Sequence, residues 1–188
     1  DVIVSTEESK ISYLKIANSE VNSIVHNTDI SGQVYLTSKK RIIAYDVPKV
    51  NRQSMRAAIR NAKAAIELVK QKDDYNGIAG GKFKYRKAAL PDKRLEQMDA
   101  KAIADVALAA INGASHGKVE NVSGMVTAES LKFNMGTSNG IEGAHKSASI
   151  RLSLRVDGRG FSYQDVAASK HLGNLNPERF GDKTSTML

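Results

Sequence analysis

The sequence predicts an α+β protein built as two small subdomains, each a mainly antiparallel sheet packed with one long helix. Three patterns carry that expectation. Short apolar runs separated by polar turns fill the chain up to residue 47. After Pro48 the apolar positions change to steps of three and four, the repeat of a helix face. Later, Ile150, Leu152, Leu154 and Val156 alternate with Ser and Arg, which puts one face of a strand in a core.

Taken in order, strands are expected at 2–4, 11–16, 21–25, 34–36 and 42–45. Asn18-Ser19 and the 29–32 segment supply turn chemistry, because Asn, Asp and Gly accept the backbone angles that reverse a chain. Met55, Ile59, Ala62, Ile66 and Val69 then form one helix face, opposite a stripe of Arg52, Arg56, Arg60, Lys63 and Lys70. A first α+β domain spans 1–75. Residues 76–91 read as a linker, since Asn76-Gly77 and Gly80-Gly81 mark irregular backbone. The second domain, 92–188, opens with a helix over 92–112 that Gly113 should stop. Strands at 118–126, 128–135 and 147–156 follow, with a tight Asp157-Gly158 turn leading into Gly160-Phe161-Ser162-Tyr163.

Composition narrows the chemistry. The chain has 188 residues, 41% hydrophobic and 26% charged, close to ordinary globular usage, so it should fold. Cysteine is absent, which excludes disulfides, thiolate nucleophiles and Cys-based metal sites in these residues and fits the cytosol. No apolar run approaches the roughly 20 residues that cross a bilayer, so no membrane partner is expected. The chain opens inside an apolar run, Asp1-Val2-Ile3-Val4, without an initiator Met, and closes without a tail composition. The reading is a piece trimmed at both ends. The net charge of +8 is regional: residues 39–94 hold 16 Lys/Arg against 5 Asp/Glu, and the rest hold 12 against 15. A basic region of this kind attracts nucleic acid, acidic peptides or an acidic partner subunit, and its sign does not choose among them.

No constellation announces catalysis. His26, His116, His145 and His171 show no pair at the spacing that lets one helix present two metal ligands. No Ser sits in a Gly-x-Ser-x-Gly elbow. The 76–83 segment resembles a phosphate-binding loop but has Asn76 where the first glycine belongs and Phe83 where the magnesium-holding hydroxyl belongs. Lys82-Phe83-Lys84-Tyr85-Arg86-Lys87 interleaves cations with aromatics, as a single-strand nucleic-acid platform does and as a solvent-facing strand also does. Catalytic and metal residues are therefore expected to be none in this chain.

A resemblance adds to this reading. Val119-Glu120-Asn121-Val122-Ser123-Gly124, the 133–143 stretch with Thr137-Ser138-Asn139-Gly140 at its turn, and the Ser/Arg-alternating 147–155 stretch resemble the second domain of TldD/PmbA proteins. Gly160-Phe161-Ser162-Tyr163 and Leu175-Asn176-Pro177-Glu178 are similar to that family's next strand and the lead into its next helix. Asn18-Ser19-Glu20-Val21, Gly32 and the basic helix from about Asn51 resemble its first domain. The Ser138–Gly143 run leans toward the PmbA type.

The resemblance implies a cytoplasmic protein of a family known as modulators of DNA gyrase. Its members work as homo- or heterodimers that cleave unfolded peptides or mature peptide antibiotics. Their catalytic subunit uses a His-Glu-x-x-x-His helix to hold zinc, with the glutamate as general base. That motif is absent here, so zinc is expected only in the remainder of the parent protein or in its partner subunit. By the same resemblance, Ser147, Ser149, Arg151, Ser153 and Arg155 form a substrate or interface strand, Ser138, Asn139 and Gly140 the family turn, and Arg52, Arg56, Arg60 and Lys63 the basic helix face. A basic nucleic-acid-binding module is the alternative.

Overall fold

The computed structural model describes residues 1–81, 83, 85 and 88–188. Its strands are β1 (Val2–Ala17), β2 (Glu20–Ser38), β3 (Arg41–Val47), β4 (Asn121–Thr137), β5 (Glu142–Gly158) and β6 (Phe161–Ser169). The helices are α1 (Arg52–Ala65), α2 (Lys93–Glu96), α3 (Ala100–Ala114) and α4 (Pro177–Ser185). The strands form one antiparallel sheet in the order β3-β2-β1-β4-β5-β6, so the protein is α+β as the sequence predicts. Two compact units partition the chain: the first holds 1–9, 28–89 and 131–146, the second 10–27, 90–130 and 147–188.

The strands run longer than the sequence suggests. Segment 29–32, read as a turn, lies inside β2, and the break expected near residue 127 lies inside β4. Gly32 explains the first misreading. A Cβ there would stand 2.7 Å from the Met55 Cε, the tip of a flexible side chain of α1, so this glycine leaves room within the strand for that side chain and does not reverse the chain. The real reversals are two-residue hairpins with both central residues left-handed: Asn18-Ser19 (φ 54° and 59°), Lys39-Lys40 (47° and 62°) and Arg159-Gly160 (49° and 83°). The last of these replaces the expected Asp157-Gly158 turn. Those two residues remain in β5, opposite Ser162 and Phe161.

In the first unit, Asn51 caps α1 by accepting the Ser54 N–H at 2.9 Å. Ala58 and Ala62 then bury against Val34, Val47 and Leu36, with Val2, Val4, Met55 and Ile59 packed around them. The small alanines let the helix lie close to the sheet.

The second unit carries the larger core. Leu14, Ile16, Val122, Val126, Ile150, Leu152, Leu154 and Val156 meet Ile103, Ala107, Ala110 and Ala114 of α3. The helix expected over 92–112 is divided, because Asp99 folds back to accept the Ala102 N–H at 2.8 Å and so begins α3 afresh. Gly113 is no stop signal. It lies buried within α3, where a Cβ would come 2.0 Å from the Glu178 carbonyl oxygen of α4, and Gly181 of α4 makes the reciprocal approach to Ala110. The left-handed residue after the helix is Gly117 (φ 66°).

Asp92, its side chain 9% exposed, gathers α2 to the segment before α4. Its carboxylate accepts from the Arg94 guanidinium at 2.9 and 3.2 Å, from the Arg94 N–H at 3.0 Å and from the Leu172 N–H at 2.9 Å. The hydrogen bonds from the Arg94 side chain and then from the Leu172 N–H hold this carboxyl well below the usual carboxylate range. A depressed carboxyl contributes stability that is complete above its unfolded pKa of about 3.9 and fades as the pH falls through that value toward the folded one. Urea titrations at pH 7 and pH 3 should therefore show a smaller acid loss for Asp92→Asn than for the parent. Equal losses would mean that this carboxylate does not couple stability to pH.

Candidate functional site

The residues expected to form a substrate or interface strand lie on β5, and the sheet divides them. Buried Ala148, Ile150, Leu152, Leu154 and Val156 point into the core of the second unit. Ser147, Ser149, Arg151, Ser153 and Arg155 alternate with them and line the opposite, open face, with both arginines exposed. Their backbones differ. Pairing with β6 begins at Ile150 opposite Ser169, so Arg151, Ser153 and Arg155 stand opposite Ala168, Val166 and Gln164. Ser147 and Ser149 lie beyond the end of β6, and the strand edge there has no neighbouring strand among the described residues. An extended chain can add main-chain hydrogen bonds at 147–149, while the 151–155 stretch offers only side chains. On that face Gln164 donates to the Ser153 hydroxyl at 3.1 Å, and the Arg155 Nε donates to Asp157 at 3.0 Å, leaving Arg151 without an ion pair among the described residues.

The outer edge of β6 is partly closed. Asp165 accepts the Val166 N–H at 2.8 Å and the Lys183 ammonium at 3.2 Å, and these contacts, the backbone N–H first, lower its pKa. A side chain that caps a main-chain donor on an edge strand discourages another strand from pairing there.

The turn of Ser138, Asn139 and Gly140 is tied into the first unit. The Ser138 N–H donates to the Val2 carbonyl at 2.8 Å and its hydroxyl accepts the Val2 N–H at 3.0 Å. Asn139 donates to the Ala79 carbonyl at 3.5 Å, and Gly140 takes φ 78°, a conformation glycine adopts without strain. These contacts hold the start of β1.

Arg52, Arg56, Arg60 and Lys63 are exposed along α1, and none makes an ion pair among the described residues. In the cation and aromatic run, Lys82, Lys84, Arg86 and Lys87 lie outside the described residues. Phe83 and Tyr85 are exposed, with ring centroids 6.2 Å apart.

Sequence reasoning missed two features. His116 Nε2 lies 2.9 Å from Asp182 and 2.9 Å from the buried Ser185 hydroxyl, joining the end of α3 to α4. This is not a catalytic triad, because both partners share one ring nitrogen whereas a base must bridge nucleophile and carboxylate through opposite nitrogens. The other feature is an open groove of about 650 Å³ in the first unit, lined by Glu7, Asp29, Asp46, Gln33 and Phe133 among others. Neither leaves a periodic signal in sequence. Zinc does not fit the described residues: they contain no group of three His, Asp or Glu side chains placed to share a metal, and His26 is engaged with Ser12 at 2.6 Å.

The fold is that of the TldD/PmbA-type proteins. It superposes on a proposed modulator of a DNA gyrase from Thermotoga maritima with TM-score 0.82 and 17% identity over 98% of this chain. TldE from Thermococcus kodakarensis matches with TM-score 0.83 and 16% identity over 98%, and a proposed modulator of DNA gyrase from Bacteroides thetaiotaomicron with 0.84 and 16% over 99%. The chain spans 43–44% of the length of these three proteins. In sequence comparisons, no family model and no curated protein matches. The likenesses favour neither the PmbA nor the TldD type, and they do not support the nucleic-acid-binding alternative.

Proposed function

We propose that this chain is the N-terminal region of a TldD/PmbA-type subunit in a cytoplasmic, peptide-processing metalloprotease complex. It walls part of the substrate cleft and forms part of the interface between subunits. The observation that carries this reading is the likeness of nearly the whole chain to three proteins of that fold. On this reading the zinc and its general base belong to the rest of the parent protein or to a partner subunit, and the described residues hold no group of His, Asp and Glu side chains placed to share a metal. The second unit contributes an open sheet face on which Arg151 is an exposed cation with no ion pair among the described residues and Ser149 and Ser153 are small neutral neighbours. Such a face meets a partner bearing carboxylates, or the side chains of an extended peptide whose main chain pairs along 147–149.

Sedimentation of the chain with its TldD/PmbA-type partner subunit tests the reading. A stable complex is expected, weakened roughly tenfold by Arg151→Glu, because reversing one interfacial charge replaces attraction with repulsion. Failure to associate with either a partner subunit or a second copy would overturn it.

A further inference from the structure

The first unit has an unpaired strand edge of its own. Residues 32–38 of β2 pair with β3, and the ladder ends at Gly32 opposite Val47. β2 continues in the N-terminal direction, but β3 does not, because the chain leaves at Pro48 for α1. In the sheet order nothing lies beyond β3, so 28–31 of β2 have no neighbouring strand on that side among the described residues. Thr28, Asp29 and Ile30 are exposed, Ile30 at 51%. Among the described residues no side chain caps this edge, in contrast to the cap that Asp165 places on β6.

The groove at this step has one sign of charge. Glu7 of β1, Asp29 of β2 and Asp46 of β3 line it together with Ser5, Ser31 and Gln33, and among the described residues no Lys or Arg takes part. Asp46 accepts from the Gln33 amide at 2.9 Å, opposite it in the ladder, and among the described residues no ion pair involves any of the three carboxylates. A chain of net charge +8 thus keeps an acidic groove beside an open edge.

We propose that the lane vacated by β3 beside residues 28–31 binds an extended polypeptide segment carrying Lys or Arg. Main-chain groups of 28–31 pair with the segment's backbone, as in strand addition to a sheet. The carboxylates of Glu7 and Asp29 face its cationic side chains, with Asp46 closing the groove. The backbone pairing is indifferent to sequence, and the acidic lining selects against Asp- and Glu-rich segments. This inference deepens the peptide-processing reading by naming the class of peptide, and it rests on that reading.

Fluorescence anisotropy on the 188-residue chain tests it with three labelled hexapeptides: one alternating Lys and Val, one with Glu for each Lys, and a copy of the first N-methylated at every residue. The Lys peptide should bind. The Glu peptide and the N-methylated copy should each bind at least about tenfold more weakly, the first through repulsion and the second because it cannot donate main-chain hydrogen bonds. The Glu7→Gln, Asp29→Asn double variant, with a circular dichroism spectrum matching the parent, should lose most of the preference for Lys over Glu. Equal binding of the Lys peptide and its N-methylated copy, or a preference unchanged in the double variant, would overturn the site. Neither result alters subunit association, which reads the proposed function separately.

Discussion

Gly113→Val unfolds the second unit or lowers its stability by at least about 3 kcal/mol, the range reserved for substitutions that force packed backbone apart. The reason is geometric. A Cβ at Gly113 lies 2.0 Å from the Glu178 carbonyl oxygen and 2.7 Å from its carbonyl carbon, atoms of α4 that no rotamer change can move. α3 and α4 must separate, and the contacts that Gly181 makes with Ala110 and Ala114 are lost with them. Gly136→Ala is the control. No atom lies within 4 Å of a Cβ there, so its effect should stay within about 0.5 kcal/mol. Urea denaturation of both variants makes the comparison, and a mild Gly113→Val would mean that the two helices can part at little cost.

Leu152→Ala carries the second large expected effect, a loss of about 3 kcal/mol. Leu152 has no exposed surface and sits among Ile150, Leu154, Val122 and Val126 of the sheet and Ile103 of α3. Removing its branched end leaves a cavity walled by strands paired on both sides, which cannot collapse to fill it. Leu152→Met keeps the volume and should cost less than about 1.5 kcal/mol. If thermal and urea melts show equal losses for both variants, the deficit comes from something other than the cavity.

What could be read in the sequence was whatever depends on local period. The apolar steps of α1, the alternation along β5 and the Asn18-Ser19 reversal each repeat within a few residues and need no tertiary partner. What could not be read depends on contacts distant in sequence. Gly32 and Gly113 look like a turn and a stop, yet the first lies inside a strand beside the Met55 side chain and the second lies against the backbone of α4. The Lys39-Lys40 hairpin contains neither Asn nor Gly, the usual residues of a left-handed pair. Strand length was hidden for the same reason: the 25–30 stretch is exposed throughout, so no alternation marks it as sheet.

The candidate site was legible only in its side chains. Alternation of Ser and Arg on β5 places Ser147, Ser149, Arg151, Ser153 and Arg155 on one face. Which stretches have free main-chain groups depends on where β6 and β3 end against their longer neighbours. The Ser138 turn shows the opposite case, a family-like motif whose contacts with Val2 and Ala79 account for its residues structurally.

The meeting of α3 with α4 also sets an order of events in folding. The His116–Asp182 contact spans 66 residues, and β4, β5 and β6 all lie in that interval. Closing so long a loop costs entropy that the short hairpins avoid, and it becomes favourable once the intervening strands have drawn the ends together. α4 is therefore expected to dock late. Until it does, the glycine and alanine surface of α3 stands open to solvent and to other unfinished chains, so the nine residues of α4 act as a latch whose absence leaves the nascent protein prone to association.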